Sequence, residues 1–440
     1  MLFKQILSLK REAEADLASP GSSQFMDILE LPQRSCSEHI VFAKLNSLSL
    51  SLSRNMVFLM RPYVYLPLIF LVVFWYYKVK QWSQNTLYYQ NSRLNLNLVA
   101  RCKELQQFQP AFLLTNTWLQ SIFASVREIW ARNRMSYSIT REILRLPDGG
   151  QLAVDFQENA DLTSESPILL VIPGLTGCTK AGYIRSLLDH TNQGEFRVCV
   201  MMNRGCGGVP LTTPLMYCAG WTKDIRFVVD TLHKRWPDSK LYGCGFSLGS
   251  NMLTNYVSEQ EQALDGFVSV CNPLDLTICA RSTSRSWKIV GRLFNKLLRK
   301  LVLPHLDMLQ TNENLKDVDL KSTLMNCQTV GEFDHHLTAR MFGYNSGIHY
   351  YTEASCLQRI HNITIPGLFI NARDDFVTGN DTTFDEEKFV SNPNLLFCMT
   401  QKGSHIGYLQ GLKLRQWHPR PIMEYLSHLH HSFQTTTTFQ

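Results

Sequence analysis

The sequence predicts an α/β protein built on a mostly parallel sheet with helices on both faces. Two patterns and the composition predict it. Short apolar runs recur at Ile168–Ile172, Arg197–Met202, Lys240–Gly243, Gly266–Val270, Pro366–Asn371 and Leu395–Thr400, mostly with helix-length segments between them. The stretch from Val270 to Pro366 breaks this rhythm and predicts a helical cap insertion at about 273–350, carried over the strand ends. Of 440 residues, 45% are hydrophobic and 18% charged, which suits one large core plus one extra apolar segment.

The elements follow in chain order. Residues 1–55 contain an SLSLS run and carry no functional clue. Residues 56–78 predict a single N-terminal transmembrane helix. The apolar stretch Met56–Tyr77 matches the roughly 20 residues a bilayer-spanning helix needs, with Arg61 its only charge. Tyr and Trp gather toward its ends, and Arg54, Lys78 and Lys80 flank it, as interfacial anchoring requires. The competing interpretation is a core helix containing Pro62 and Pro67. The segment is too long and too far from Met1 for a cleaved signal peptide, so it predicts a signal-anchor at the plasma membrane or endoplasmic reticulum. Six basic and six acidic side chains precede it, which leaves the topology open. The tripeptides Asn362-Ile-Thr and Asn380-Asp-Thr are candidate glycosylation sites and lean toward type II. Linker and entrance helices fill 79–137. The main domain spans 138–433 and opens with a hairpin at Asp148-Gly149-Gly150. Residues 434–440 predict an unordered tail.

Charge and cysteine usage exclude several function classes. A net charge of +6 with no basic module predicts no nucleic-acid partner. Twelve cysteines show no C-x-x-C pair and no zinc-type spacing, so Cys199, Cys244, Cys271 and Cys398 are expected to be buried thiols. His335, His336, His418, His428, His430 and His431 fall in helical or tail contexts and are expected to be solvated, not metal ligands. Neither a metal nor a cofactor is expected.

The chemistry concentrates in three places. G-x-S-x-G spans Gly245–Gly249, directly after a strand and before the helical run NMLTNYVSEQ. A serine on so tight a strand-to-helix turn needs small neighbours two residues away on either side. The helix that follows aims its N–H groups at developing negative charge. Ser247 is therefore the candidate nucleophile. A serine hydroxyl attacks only when a base takes its proton, and that base must be oriented by a carboxylate. Asp374 and Asp375 end the strand GLFIN, and at most one can orient a histidine; Asp375 is favoured, with Asp374 the alternative. His405, in the Gly-containing loop QKGSHIG after the last apolar strand, is the candidate base. The amides of Leu248 and Leu175 are the candidate oxyanion donors, the latter in Pro173-Gly-Leu-Thr-Gly177, which is equally compatible with an ordinary turn.

Arg281, Arg285, Lys288, Arg292, Lys296 and Arg299 recur at helical spacing among apolar residues, with no acid between 281 and 300. Such a helix either lies on membrane lipid or presents a solvated face. His233-Lys-Arg-Trp-Pro-Asp238 matches an H-x4-D acyltransferase pattern but precedes a strand in a Pro-Asp turn, and is expected to be structural.

From about Asn116 onward the chain resembles the membrane-anchored abhydrolase-domain lipases of the AB-hydrolase-4 type, most closely their acylglycerol-lipase subgroup. The blocks GFSLGSN, NRGCGG, FDHHLTARMFGYNSGIHYYTEASCLQRI, IPGLFINARDD and KGSHIGYLQG carry the resemblance, in the family's order. It implies the α/β-hydrolase fold with an N-terminal anchor and hydrolysis of acylglycerols or related lipid and acetyl esters without a cofactor. Ser247, Asp375 and His405 would form the charge relay. Ser404, Ser250 and Trp118 stand where the family usually has glycine, glycine and histidine, which bears on substrate choice. Two other functions stay open: a catalytically silent lipid- or steroid-binding membrane protein on the same fold, and an acyltransferase. Oligomeric state is not legible.

Overall fold

The computed structural model describes residues 66–67, 69–111, 114–131, 137–157, 159–192, 194–259, 261–286, 288–379 and 383–437. Two compact units divide the chain, Met1–Phe74 and Trp75–Gln440. In the first, residues 66–67 and 69–74 are helical, and Leu66, Ile69, Phe70 and Leu71 are exposed. Residues 56–65 and 68 of the expected span 56–78 lie outside the described residues. Among the described residues no helix is long and apolar enough to cross a membrane.

The second unit is organised by a nine-stranded sheet of order β1-β9-β8-β7-β6-β4-β5-β3-β2. The strands are β1 (Thr86–Tyr89), β2 (Ile139–Arg145), β3 (Gln151–Gln157), β4 (Ile168–Ile172), β5 (Arg197–Met202), β6 (Leu241–Phe246), β7 (Gly266–Val270), β8 (Gly367–Ala372) and β9 (Leu395–Thr400). Strands β4 to β9 pair in parallel. The hairpin β2–β3 and strand β1 close the two edges antiparallel. Every residue of β4, β6, β7, β8 and β9 is buried, which is why these strands read as continuous apolar runs instead of alternating ones.

Successive side chains serve opposite faces. Leu170 and Ile172 join one core with α4 (Lys223–Arg235) and α5 (Leu248–Val257), through Ile225, Val228, Met252 and Leu253. Leu169 and Val171 join the other, with α1 (Arg93–Arg101), α3 (Gly182–Thr191) and the last helix, α12 (Pro419–Thr437), through Leu98, Leu187 and Tyr425. Helix α2 (Thr117–Ala131) precedes β2.

The insertion between β7 and β8 is helical, as expected. It holds α6 (Leu276–Ser286), α7 (Lys288–Val302), α8 (Leu306–Gln310), α9 (Leu320–Asn326) and α10 (Gly347–Ala354), with a π-helical turn at Asp334–Thr338, and α11 (Glu386–Val390) follows β8. Its Leu298, Val302, Leu309 and Phe333 belong to the same core as the sheet, so the cap is packed down, not tethered. Asn251 and Asn255 of α5 both donate to the carbonyl of Ala354, which fixes α10 to the helix behind Ser247.

Several expectations need correction. The run placed at Lys240–Gly243 is a strand over Leu241–Phe246, because Gly243 and Gly245 are thin points where α5 approaches the sheet and not breakers: a Cβ at Gly243 would lie 2.9 Å from Leu253. The strand placed at Pro366–Asn371 runs one residue later. Strand β1 was missed within the stretch assigned to linker and helices. The final helix continues through Thr437, past the expected end at 433, since extending a packed helix by a residue adds a hydrogen bond without a new nucleus. His418 and His430 are buried rather than solvated; Nε2 of His418 lies 3.3 Å from the Tyr183 carbonyl and Nδ1 of His430 lies 3.2 Å from the Tyr242 hydroxyl. Cys199, Cys244, Cys271 and Cys398 are buried free thiols, as expected.

After β5 the NRGCGG block is held by Arg204, whose guanidinium pairs with both carboxylate oxygens of Asp224 at 2.7 Å, both side chains being almost fully buried. It also reaches Asp148 in the first hairpin at 2.6 Å. Removing one partner of such a pair strands the other charge without solvent. Arg204→Met is expected to lower stability by about 3–5 kcal/mol, read as a drop in the denaturant midpoint, while Arg141→Met costs less, because Arg141 is partly exposed and its buried partner Asp155 keeps the Thr179 hydroxyl as a donor.

Candidate active site

Ser247 stands between β6 and α5 with φ 53° and ψ −121°, a backbone that a non-glycine residue adopts only under constraint. The constraint is crowding from both sides. A Cβ at Gly245 would lie 2.5 Å from Ser250 Cα, and one at Gly249 would lie 2.3 Å from the carbonyl oxygens of Ile172 and Pro173. The turn closes because the Ser247 N–H donates to Val270 at 2.9 Å.

The structure brings the three distant side chains together. His405 Nε2 lies 2.9 Å from Ser247 Oγ, and His405 Nδ1 lies 2.9 Å from Asp375 Oδ2. With Nδ1 protonated, the ring donates to Asp375 and accepts from the serine hydroxyl. The other oxygen of Asp375 accepts the N–H groups of Val377 at 2.9 Å and Thr378 at 3.2 Å, so the buried carboxylate is aimed by backbone. Of the two aspartates it is thus Asp375 that meets the histidine. Asp374 turns the other way, its Oδ1 accepting Ser404 N–H at 2.9 Å. Burial pushes the Asp374 carboxyl up to about 6.

The loop after β9 that carries His405 is tightly wound, with φ of 56°, 57° and 43° at Ser404, Ile406 and Tyr408. Three contacts hold it. Tyr408 N–H donates to the Gly403 carbonyl at 2.9 Å, Ile406 N–H to Cys271 Sγ at 3.3 Å, and the Ser404 and Ser121 hydroxyls bond.

The loop after β4 lies against the serine: a Cβ at Gly174 would stand 3.0 Å from Ser247 Cβ. Two tyrosine hydroxyls anchor it, Tyr183 accepting Gly174 N–H and Tyr217 accepting Thr176 N–H, each at 3.0 Å. Leu175 falls between these anchored amides. Leu248 is the first residue of α5, so its N–H has no partner within the helix.

Ligand atoms of Cys271, Asp375 and His405 lie within 4.8 Å of one another, close enough to hold a cation. The donor chemistry does not favour one. Burial, reinforced by Asp375, raises the Cys271 thiol well above its usual range and keeps it neutral. Both ring nitrogens of His405 are already committed to Ser247 and Asp375.

Outside this cluster, Asn362 is exposed and Asn380 lies outside the described residues. The expected basic helix is two helices, α6 and α7. Arg299 donates to the carbonyls of Met325 and Cys327 and is packed. Arg292, Lys296 and Lys300 are exposed beside Leu293 and Leu297 on one face of α7, and none of these three cations pairs with an acid among the described residues. Side chains of Arg285 and Lys288 lie outside the described ones. His233 of the H-x4-D pattern contacts the Ala263 carbonyl.

Tyr183 and Tyr217 support the site without being singled out by the sequence, and Cys271, expected only as a buried thiol, also contacts the His405 loop. A hydroxyl meeting a backbone amide 9 or 41 residues away leaves no local pattern.

A strained serine at a strand-to-helix turn, a histidine it can pass a proton to and a carboxylate behind that histidine define the geometry of a serine hydrolase. A sequence profile described as the alpha/beta hydrolase fold matches residues 167–412, and the chain belongs to that family. It is 32% identical over 362 residues to a monoacylglycerol lipase of Saccharomyces cerevisiae, covering 72% of this chain and 80% of the relative. It is 31% identical to the phospholipase ABHD3 of Homo sapiens, over 62% of this chain and 68% of the relative. It is 30% identical to the monoacylglycerol lipase ABHD2 of Danio rerio, over 65% of this chain and 69% of the relative.

Because the Gly249 contacts are backbone atoms that cannot rotate away, Gly249→Ala is expected to unfold the β6–α5 turn. Thermal melts should show a loss well beyond that of an alanine placed at exposed Gly208, where no described atom lies within 4 Å and only the φ of 81° opposes a side chain.

Proposed function

We propose that this chain is a serine hydrolase of lipid carboxylic esters that works through Ser247, His405 and Asp375. The observation that carries it is the unbroken pair of 2.9 Å contacts from hydroxyl to imidazole to carboxylate. His405 Nε2 takes the Ser247 proton as Oγ attacks the ester carbonyl. The imidazolium that forms is stabilised by Asp375, which stays ionised. Negative charge on the carbonyl oxygen is met by the Leu248 and Leu175 amides. The same histidine then protonates the leaving alcohol, and a water it deprotonates releases the acid. Relatives named as acylglycerol lipases and a phospholipase support lipid esters as the substrate class. An acceptor alcohol in place of water would give acyl transfer with the same residues.

The apolar segment 56–78 supports an anchored enzyme, and the cationic, leucine-bearing face of α7 supports contact with anionic membrane lipid.

A fluorophosphonate probe, which captures an activated serine, is expected to label the wild type, and Ser247→Ala is expected to abolish labelling without changing the melting temperature by more than about 2 °C. Equal labelling of both would remove Ser247 from the mechanism. For α7, Leu297→Trp should add tryptophan fluorescence that brominated phosphatidylserine vesicles quench and brominated phosphatidylcholine vesicles quench less. Quenching no greater than in the wild type would remove that face from the membrane.

A further inference from the structure

The pair Asp374-Asp375 divides its labour. Asp375 orients His405, while Asp374 holds the backbone of the loop that carries His405 at the residue next to the histidine. Its Oδ1 accepts the N–H of Ser404, the residue before the histidine, at 2.9 Å. Its carbonyl accepts the Thr117 hydroxyl at 2.8 Å, and Ser121, one turn further along α2, bonds to the Ser404 hydroxyl. Asp374, Ser404 and the first turn of α2 therefore form a closed strap. The loop needs one, because three of its residues hold positive φ without being glycine.

The second oxygen of Asp374 is anomalous. Oδ2 is buried and has no hydrogen-bond partner among the described residues; Lys402 Nζ approaches only to 3.9 Å and lies over the Trp82 ring. A carboxylate used only to fill space would be replaceable by a neutral group that satisfies its surroundings better. Resting on the hydrolase function above, we propose that Asp374 is a positioning residue for His405: its negative charge tightens the bond to Ser404 N–H and so keeps the imidazole in reach of Ser247, and neutralising it slackens the loop.

The groups that face Asp374 fix the direction of the pH effect. Its own segment brings Asp375, whose charge opposes ionisation, and Arg373, which is turned to the Tyr88 hydroxyl. The His405 loop brings Lys402, which favours ionisation, and the Ser404 N–H, which does the same. Helix α2 contributes the hydroxyls of Thr117 and Ser121. Burial outweighs the lysine and pushes the carboxyl up to about 6. A carboxyl with a raised pKa loses fold stability as pH rises from its ordinary value through about 6, so the charge is maintained at neutral pH against a stability cost. A charge-assisted bond from a backbone N–H is stronger than a neutral one, and a base displaced by a fraction of an ångström loses rate before it loses substrate binding.

Asp374→Asn, isosteric and permanently neutral, tests this. With a water-soluble short-chain ester, kcat at pH 8 is expected to fall about tenfold with KM changed less than twofold. The ratio of wild-type to Asp374→Asn kcat should then shrink toward one as pH falls through about 6, because both proteins then carry a neutral group at this position. A ratio of one at pH 8, or a reduced kcat whose ratio stays constant across pH, would overturn the proposal; the second is what a purely structural role gives. Asp374→Ala, lacking the acceptor, should be slower than Asp374→Asn at every pH, and a fluorophosphonate labelling rate provides the same comparison for any variant too slow to assay. Wild-type protein that is neither labelled nor active on any ester would refute the hydrolase function itself, a result separate from a flat ratio in an active enzyme.

Discussion

Everything at this site depends on how closely α5 backs onto the sheet. The backbone of Gly249 passes so near the carbonyls of Ile172 and Pro173 that no side chain fits between them, and Gly245 meets Ser250 in the same way. That approach forces Ser247 into its positive-φ conformation. It lifts the hydroxyl off the end of β6 and places the start of α5 beside it. It also brings the β4 loop, with Leu175, against the serine. Two missing β-carbons thus set the positions of nucleophile, helix N-terminus and candidate oxyanion loop at once.

The fold meets that demand by keeping the sheet rigid and pinning the loops individually. Five fully buried parallel strands give the loop ends fixed origins. The β4 loop is pinned by tyrosine hydroxyls, the Asp375 carboxylate by two backbone amides, and the His405 loop by Asp374, Cys271 and α2. The cap is fixed to the helix behind the serine by Asn251 and Asn255. Strained backbone at a reacting centre is sustained by hydrogen bonds spread over its surroundings.

Much of this was legible in the sequence, for identifiable reasons. Buried parallel strands announce themselves as unbroken apolar runs, so four of the six were placed to the residue and the other two to within a few positions. Ser247 was legible because its turn excludes side chains at fixed offsets, and His405 because a glycine-containing loop follows a strand. Strand β1 was not, since TLYY is short and partly exposed and becomes a strand only by pairing with β9. The choice between Asp374 and Asp375 was open because neighbouring residues point in opposite directions only once the turn after β8 is built. Tyr183 and Tyr217 were invisible for a related reason: their partners are backbone groups of another element. The burial of His430 reflects the inner face of α12, which a histidine-rich run disguises as polar, and His418, just before that helix, is buried against the Tyr183 carbonyl.

Mass spectrometry of the protein quenched in acid during turnover of a slowly hydrolysed ester tests the covalent role of Ser247 most directly. An adduct of the acyl group's mass on the peptide containing Ser247, decaying as free acid accumulates, is the result expected. Steady ester turnover with no acyl adduct, or with the adduct on another side chain, would contradict it.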